Sequence, residues 1–566
     1  MEGLYEYKHN PIVRRIFLAM LAPTILMNLT TAIGSVADTM IIGHYLDDKS
    51  LSVVTFATPI YMVINTFAAL FAVGGCIAMS IDSGKGDKKS ANEAFGVSML
   101  LLATTGLLLL LSGLFFSEII TGWLGAGKDV FEAVEEYSKI ILVGGPVFVM
   151  NIGLAFFVRN DGRPTLSMIG MFSSIIVDIT LNFVFVGYLG MGVSGAAYST
   201  VIGQFVSILV IGTHFLSSKC TLRFRFVFNK TAWRIVKNGA SSALHFVYQF
   251  VTILIINHFL SKLAGTDGVV IYTVVFNLST VSLSVFEGIS QTIQPMISNY
   301  YGEKSYVNIK ETLSLAMLTI FIICGGVTVL LEVVPQVVPI VFGIDDAVLI
   351  GKSAVAVRIF ATSMIIMTIN VVIGYYLQST EQNLMSMIII SLRCFVLFLG
   401  ATFILGKCFG MNGVWAAYTA AEALTFLVIF GMVKVKQKRL KTKGVNADML
   451  LLDKETRDGI VCYTFNCGKD DFEEYKEYIA NEIGKVLPPD NTLCKDVGVY
   501  LEEIAHCVEA VKERLVEVEI NKRENKIIIR DNLKHMGFSE NWQKRLSEES
   551  VKDYGPVLGW NRMCIG

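Results

Sequence analysis

Apolar residues fill long, nearly uninterrupted stretches of the first three-quarters of the chain, and then the pattern stops. Twelve runs are long enough to cross about 30 Å of hydrocarbon. They cover residues 15–40, 52–81, 93–117, 133–157, 164–187, 193–217, 240–260, 268–296, 312–333, 350–377, 383–405 and 412–433. Short loops join them, apart from a longer basic link at 219–238. From Lys434 onward the periodicities are those of a soluble protein. Residues 470–487 and 496–515 predict amphipathic helices. VEVEINKRENKIIIRDN (516–532) predicts two strands, with KREN as the turn between them.

The two halves of the apolar region repeat. IIGHYL (41–46) matches IINHFL (255–260), and the same offset of 214 lays Gly74 on Gly288. After a small shift, GMGVSGAAYST (190–200) lies over GMNGVWAAYTA (410–420). Each half holds six runs, so matched spans share an orientation and the repeat is parallel. The expected fold class is an all-α polytopic membrane protein. Twelve transmembrane helices form two six-helix bundles, with a small C-terminal α/β domain in the cytosol. The expected divisions are 1–218 and 219–433 for the bundles, 434–444 for a basic linker and 445–566 for the soluble domain.

Composition agrees with that pattern. Of 566 residues, 53% are hydrophobic and only 17% charged, and the mean hydropathy is +0.58, whereas soluble domains carry about a quarter charged residues. Lys and Arg crowd one set of loop ends, twenty-two against five, with Arg159 and Arg163 among the majority. The bias puts that side, and both termini, in the cytoplasm of a cell whose plasma (inner) membrane the chain crosses. The N-terminal segment has no signal-peptide cleavage pattern. Ten cysteines are scattered without paired spacing, which reads as free thiols rather than a disulfide or zinc framework. No Walker A sequence is present, which argues against a primary pump.

Ionisable residues within apolar spans are expensive and mark function. Asp38 lies in GSVADTMIIGHYL (34–46). Asp178 lies in SSIIVDITLNFVFV, with Asn182 one turn later on the same face, and Thr200 one span on. This set could converge in the first bundle, where two carboxyls can hold a proton at neutral pH or bind Na⁺ through oxygens. In the second half, His245, Gln249, Gln291 and Gln294 are the expected cavity-lining residues. Arg358 and Arg393 fit snorkelling or structural ion pairs, and Glu422 an ion pair within its bundle. Met and Phe facing a central cleft would suit bulky apolar or cationic ligands.

VADTMIIGHYL (36–46), GKGDKKSANEAFG (84–96), FFVRNDGRPTLSMIG (156–170), MGVSGAAYST (191–200), GISQTIQPMISNYYGEKS (288–305) and GMNGVWAAYTAAEA (410–423) resemble the MATE (multidrug and toxic compound extrusion) family over residues 10–435. The resemblance implies two lobes, alternating access, and efflux of drugs or metabolites against H⁺ or Na⁺. Asp38 matches the family's first-helix aspartate and Thr200 its sixth-helix threonine. The family's fifth helix commonly carries Asn and then Asp; here the order is Asp178 and then Asn182. Gln249 stands where some members have a helix-seven acid, and helix ten has none, so coupling is expected to rest on the first lobe.

The tail resembles a degenerate histidine-kinase-type ATPase domain of the anti-sigma-factor kind. Glu503-x-x-x-Cys507 stands where that family has Glu-x-x-x-Asn, whose Asn holds Mg²⁺. RDNLKHMGF (530–538) resembles its adenine-pocket motif, with Asp531 retained and Leu533 replacing the Gly. These departures predict weak or no nucleotide binding and a regulatory or protein-contact role. The expected function is a cation-coupled antiporter, not an enzyme, which exports drugs or small amphipathic or cationic metabolites. It needs no cofactor beyond H⁺ or Na⁺, no metal beyond Na⁺ at Asp38, and no nucleic acid. Its partners are the export substrate, the lipid bilayer and a cytosolic protein at the tail. The competing readings are a flippase for a lipid-linked or amphipathic substrate and a membrane sensor that signals through its C-terminal domain.

Overall fold

A computed structural model of the chain describes residues 10–46, 48–226, 230–342, 344, 346–466, 481, 497–500, 515–521, 526–531, 551–558 and 560–565. Ten helices there are long and apolar enough to cross a membrane, and twelve spans result when each of two bent helix pairs is counted as one. In chain order the first six are Pro11–Tyr45, Ser52–Gly84, Lys88–Phe115, the bent pair Phe131–Val143 and Gly145–Asn160, Pro164–Tyr188 and Gly192–Leu216. The second six are Lys230–Leu260, Val270–Glu303, Tyr306–Val333, the bent pair Ala347–Ala361 and Met364–Ser379, Asn383–Phe409 and Met411–Lys441. Each of the twelve apolar runs therefore has its helix.

The repeat is visible in the irregularities. The fourth span of each half is the bent one, by 47° and 44°. The fifth span of each half holds a π-helical segment, Phe183–Tyr188 and Leu392–Val396. Ser167 Oγ donates to the Ala155 carbonyl at 2.9 Å, and Ser386 Oγ donates to the Gly374 carbonyl at the same distance. Gly190 and Gly410, aligned by the GMGVSGAAY and GMNGVWAAY blocks, both take positive φ, 63° and 62°.

Helical backbone runs without interruption from Lys230 to Glu303, 74 residues. Straight, it would measure about 110 Å at about 1.5 Å per residue. Gly239 near one end nevertheless packs on the Leu70 carbonyl, and Gly302 near the other packs on that of Ile81. Both contacts fall on the second span, so the chain reverses between the seventh and eighth spans.

Glycines set how closely the bundles approach. A Cβ at Gly84 would lie 2.1 Å from the Asn299 carbonyl oxygen, and one at Gly302 would lie 2.1 Å from that of Ile81. The two contacts are reciprocal, at an offset of 218. This corrects the sequence alignment of Gly74 with Gly288, which is one helical turn short. Gly239 against Leu70 is mirrored by Gly288 against Ile25, which keeps the offset of 214 for the first and seventh spans. The extra turn enters between the seventh and eighth.

The bundles do not divide cleanly near residue 218. Ile12, Val13, Ile16, Phe17 and Met20 at the start of the first span are buried in the core of the second bundle. Met27 onward belongs to the core of the first. The link between bundles is pinned across the first: Thr221 N–H donates to Asp161 at 3.0 Å, Arg223 N–H donates to Asn92 at 2.6 Å, and Gly96 packs against the Arg225 backbone.

The basic linker proves to be helix as far as Lys441, an extension of the twelfth span. Beyond it lies an antiparallel five-stranded sheet in the order β1-β2-β3-β5-β4. Its strands are β1 Ile460–Asn466, β2 Leu515–Asn521, β3 Lys526–Asp531, β4 Val551–Val557 and β5 Trp560–Ile565. β2 and β3 are the two strands expected from the alternation. Along β2 both faces are buried, Glu517 and Glu519 included.

Gly302→Ala is expected to force the second and eighth spans apart, at a cost of about 1–3 kcal/mol. The melting temperature of the detergent-solubilised protein should fall, while Gly325→Ala, with nothing within 4 Å of its added Cβ, should leave it unchanged.

Candidate functional site

The first-bundle set does converge. Asn182, the last residue of its α-helix, directs Nδ2 to Asp38 Oδ1 at 2.8 Å and to Asp178 Oδ1 at 3.3 Å. One amide thus bridges carboxylates on two spans. Asp178 and Asn182 are buried, and Asp38 is partly exposed. Asn182 Oδ1 is buried and has no partner among the described residues. The centre therefore presents five acceptor oxygens, from two carboxylates and an amide, around a single shared NH₂ group. Such a set has acceptor capacity for one proton or one cation.

Local structure explains the convergence. Asp178 and Asn182 are four residues apart and share a helix face. The α-helix gives way to the π-segment Phe183–Tyr188 directly after Asn182, and π-segments recur at functional sites. A Cβ at Gly203 would meet the Ser174 carbonyl at 2.6 Å and Asp178 Cβ at 3.2 Å, so glycine lets the sixth span lie flush on the fifth. That brings the hydroxyls of Ser199 and Thr200 alongside Asp178, while each donates to the Ala196 carbonyl, at 2.7 and 3.0 Å. Tyr61 and Tyr137 pair hydroxyl to hydroxyl at 3.2 Å, within electrostatic range of both carboxylates. The sequence reading missed Ser199 and this tyrosine pair, whose residue types are unremarkable in an apolar span.

The second bundle is built differently. Thr252, the counterpart of Asp38 at the 214 offset, donates to the Cys394 carbonyl at 2.9 Å, inside the eleventh span's π-segment. Arg393 pairs with Glu422 at 2.9 Å, both side chains being buried, and Asn370 Nδ2 donates to Glu422 Oε2 at 2.8 Å. His245 Nδ1 lies 3.3 Å from Glu287 Oε1. Each of these two acids thus has a nitrogen partner of its own. Arg358, at the end of its helix, donates to the Glu332 carbonyl at 3.1 Å.

A cavity of about 90 Å³ opens beside these pairs. His245 and Gln249 line it, with Tyr272, Phe276, Phe398 and Tyr418. Gln291 and Gln294 do not belong to its lining. Gln291 exchanges hydrogen bonds with Asn28 at 3.2 Å in both directions and accepts from Arg159 Nη1 at 2.9 Å. Gln294 is wholly buried, and neither of its amide atoms has a partner among the described residues. Arg159, counted with the loop cations in the sequence, is fully buried between the bundles, with its guanidinium 4.5 Å from the Phe156 ring centre. Its place at the end of a helix made a loop position the natural inference.

In the tail, Glu503 and Cys507 lie outside the described residues. Asp531 is buried, and both of its carboxylate oxygens are engaged: Tyr500 Oη donates at 2.8 Å and Asn561 Nδ2 at 2.7 Å.

Removing one member of the buried Arg393–Glu422 pair leaves an uncompensated charge, at a cost of about 3–5 kcal/mol. Glu422→Gln should therefore lower the melting temperature markedly. The double variant Arg393→Leu with Glu422→Leu should recover most of that loss.

Comparisons with known proteins agree with this architecture. The family model MatE matches twice, over residues 23–184 and 241–404, once in each half. Multidrug export protein MepA of Staphylococcus saprophyticus is 24% identical over 445 residues, 78% of this chain and 97% of that protein. MepA of Staphylococcus haemolyticus is 25% identical over 443 residues, 77% and 97% of the two chains. A solved structure described as the outward-facing conformation of a multidrug resistance MATE family transporter of the MOP superfamily superposes with a TM-score of 0.71 at 20% identity, covering 76% of this chain and 97% of that one.

Proposed function

This chain belongs to the MatE family of membrane transporters, and from that premise we propose that it is a cation-coupled antiporter. It exports drugs or small amphipathic or cationic metabolites by alternating access, driven by a gradient of H⁺ or Na⁺. The observation that carries the reading is the amide of Asn182 shared between Asp38 and Asp178. A lone amide between two carboxylates leaves acceptor capacity for one cation or proton. Loading that centre changes what holds the first span to the fifth, which links the ion to the shape of the first bundle. Thr200 and Ser199 complete the oxygen set.

The name multidrug export protein carried by the MepA relatives supports small-molecule cargo. The cavity beside His245 and Gln249, walled by Tyr272, Phe276 and Tyr418, has the aromatic lining that receives flat apolar or cationic molecules. Its His245–Glu287 and Arg393–Glu422 pairs leave it no dominant charge of one sign, which favours such cargo over a lipid phosphate. The loop-charge bias supports a plasma-membrane orientation with both termini in the cytoplasm. The tail serves as a protein-contact module rather than an ATPase, and the double engagement of Asp531 by Tyr500 and Asn561 supports that.

In proteoliposomes holding the full chain, an imposed H⁺ or Na⁺ gradient, applied separately, should drive transport of a cationic dye. Asp38→Asn should abolish it while the protein stays folded; transport at the unaltered rate would reject the coupling role. Asn182→Ala should reduce coupled transport strongly, because the two carboxylates lose their common donor. Mg-ATP titrated calorimetrically into the full-length chain should give no saturable heat.

A further inference from the structure

The MepA relatives align along 97% of their own length yet cover only 77–78% of this chain, so the C-terminal sheet adds to the transporter fold. One face of it is bonded to the bundles, and the bonds are specific. Glu517, Arg530 and Arg562 stand in one cross-strand row, because Glu517 is paired with Arg530 between β2 and β3, and Arg530 with Arg562 between β3 and β5. Two arginines directly opposite one another repel. Glu517 and Glu519 of β2 pair with Arg530 at 3.0 and 3.1 Å, and the carboxylate common to both arginines comes from the eighth span: Glu303 meets Arg562 through Oε1 at 2.7 Å and Arg530 through Oε2. The sheet thus carries a two-arginine cradle for a carboxylate, and the last residue of the eighth span fills it.

The other bonds spread across both bundles. Arg562 Nη2 donates to the Ser83 carbonyl at 2.7 Å, at the end of the second span. Asn10, which caps the first span, donates to Glu517 Oε1 at 2.8 Å, and Asn308 of the ninth span donates to the same oxygen at 2.9 Å. Ser305 Oγ donates to Glu519 Oε2 at 2.6 Å. Glu303, Glu517, Glu519, Arg530 and Arg562 are all buried. Burial raises the Glu519 carboxyl above its ordinary range, and the neighbouring Arg530 opposes that shift. The seam beneath the sheet is where Gly84 and Gly302 hold the second and eighth spans together. Beside it, Arg234 of the seventh span bonds Asp82 of the second at 2.7 Å and Glu381 at 2.6 Å.

We propose that this surface is a docking site for the chain's own C-terminal sheet, and that the docked sheet latches shut the mouth of the transporter on the side bearing both termini. Separating the second and eighth spans would pull Ser83 from Arg562 or the buried Glu303 carboxylate from both of its arginines, while Arg530 keeps Glu517 and Glu519. The mouth therefore opens only when the sheet lifts away, and undocking becomes a step of the export cycle. The inference rests on the alternating-access reading, but its conformational test needs neither cargo nor gradient.

That test uses the full-length chain with spin labels at exposed Lys85 and Lys310, on the two sides of the seam, and distances measured by double electron–electron resonance. Glu303→Gln removes the carboxylate that the two arginines share. It should raise the population with a long Lys85–Lys310 separation by about tenfold or more, and speed backbone hydrogen exchange in β3 and β5. Faster exchange in those strands with an unchanged distance distribution would overturn the latch.

A second variant covers the case in which Glu303→Gln does not fold. Ser305→Cys with Glu519→Cys, joined through two disulfides by a short bis-methanethiosulfonate that releases methanesulfinate, and compared with the identically treated unsubstituted chain, should lose transport and regain it when a reductant cleaves the link. Transport at the unlinked rate by the linked protein would also overturn the proposal. If neither gradient drives transport in the unsubstituted chain, the antiporter reading fails while the distance measurement still decides the latch.

Discussion

The molecule depends on two backbones that touch. Gly84 lies on the Asn299 carbonyl and Gly302 on that of Ile81, a reciprocal contact that no side chain larger than hydrogen permits at that spacing. Because it brings main chain to main chain, it fixes the bundles relative to each other more rigidly than interdigitating side chains would. It also marks the pseudo-two-fold axis. The first span, whose opening turns sit in the core of the second bundle, and the seventh, whose Gly239 packs on Leu70, each cross to the opposite partner near this end. The other polar features are arranged around that crossing: the carboxylates lie toward the far end, a buried Arg159–Gln291–Asn28 chain runs inward from the near end, and the Asp82–Arg234–Glu381 ion pairs and the sheet sit at the near end.

Among the described residues, the acids inside the bundles are of two kinds. Glu422 has Arg393 and Asn370, Glu287 has His245, and Asp82 has Arg234. Asp38 and Asp178 have between them a single amide and neighbouring hydroxyls. Buried acids that are individually paired stabilise one arrangement. An acid pair short of donors has room for one more, and that is the property the proposed coupling site needs. The repeat accentuates the contrast, since Thr252 in the corresponding place donates to a carbonyl within the π-segment.

The sheet extends the same logic beyond the membrane. Its alternation Val516-Glu517-Val518-Glu519 has the form of a strand with a solvated acidic face. The structure instead turns that face onto Asn10, Asn308 and Ser305. Within the sheet Arg530 is bridged by Glu517 at 3.0 Å and Glu519 at 3.1 Å, and Glu303 adds the carboxylate that Arg530 shares with its cross-strand neighbour Arg562. A strand pattern that is locally half-frustrated is thus consistent once its partner surface is included.

Hydropathy alone determined the twelve spans, because a helix that must bury about 20 residues in hydrocarbon writes its length into the chain. The matching of the halves, the β2–β3 pair and the candidacy of Asp38, Asp178 and Asn182 were also legible, since a charge in an apolar run is visible without knowing its neighbours. The tertiary structure decided what depends on distance between remote residues. It buried Arg159 between the bundles although its helix-end position reads as a loop cation. It withdrew Gln291 and Gln294 from the cavity that His245 and Gln249 line. It showed that the repeat slips by one turn between the first and second spans of each half, which a fixed offset cannot register. It also joined Glu303 to Arg530 and Arg562, more than 220 residues away. Periodicity reports which face of an element is apolar; which two faces meet is settled by packing and charge compensation, and those exist only once the chain has folded.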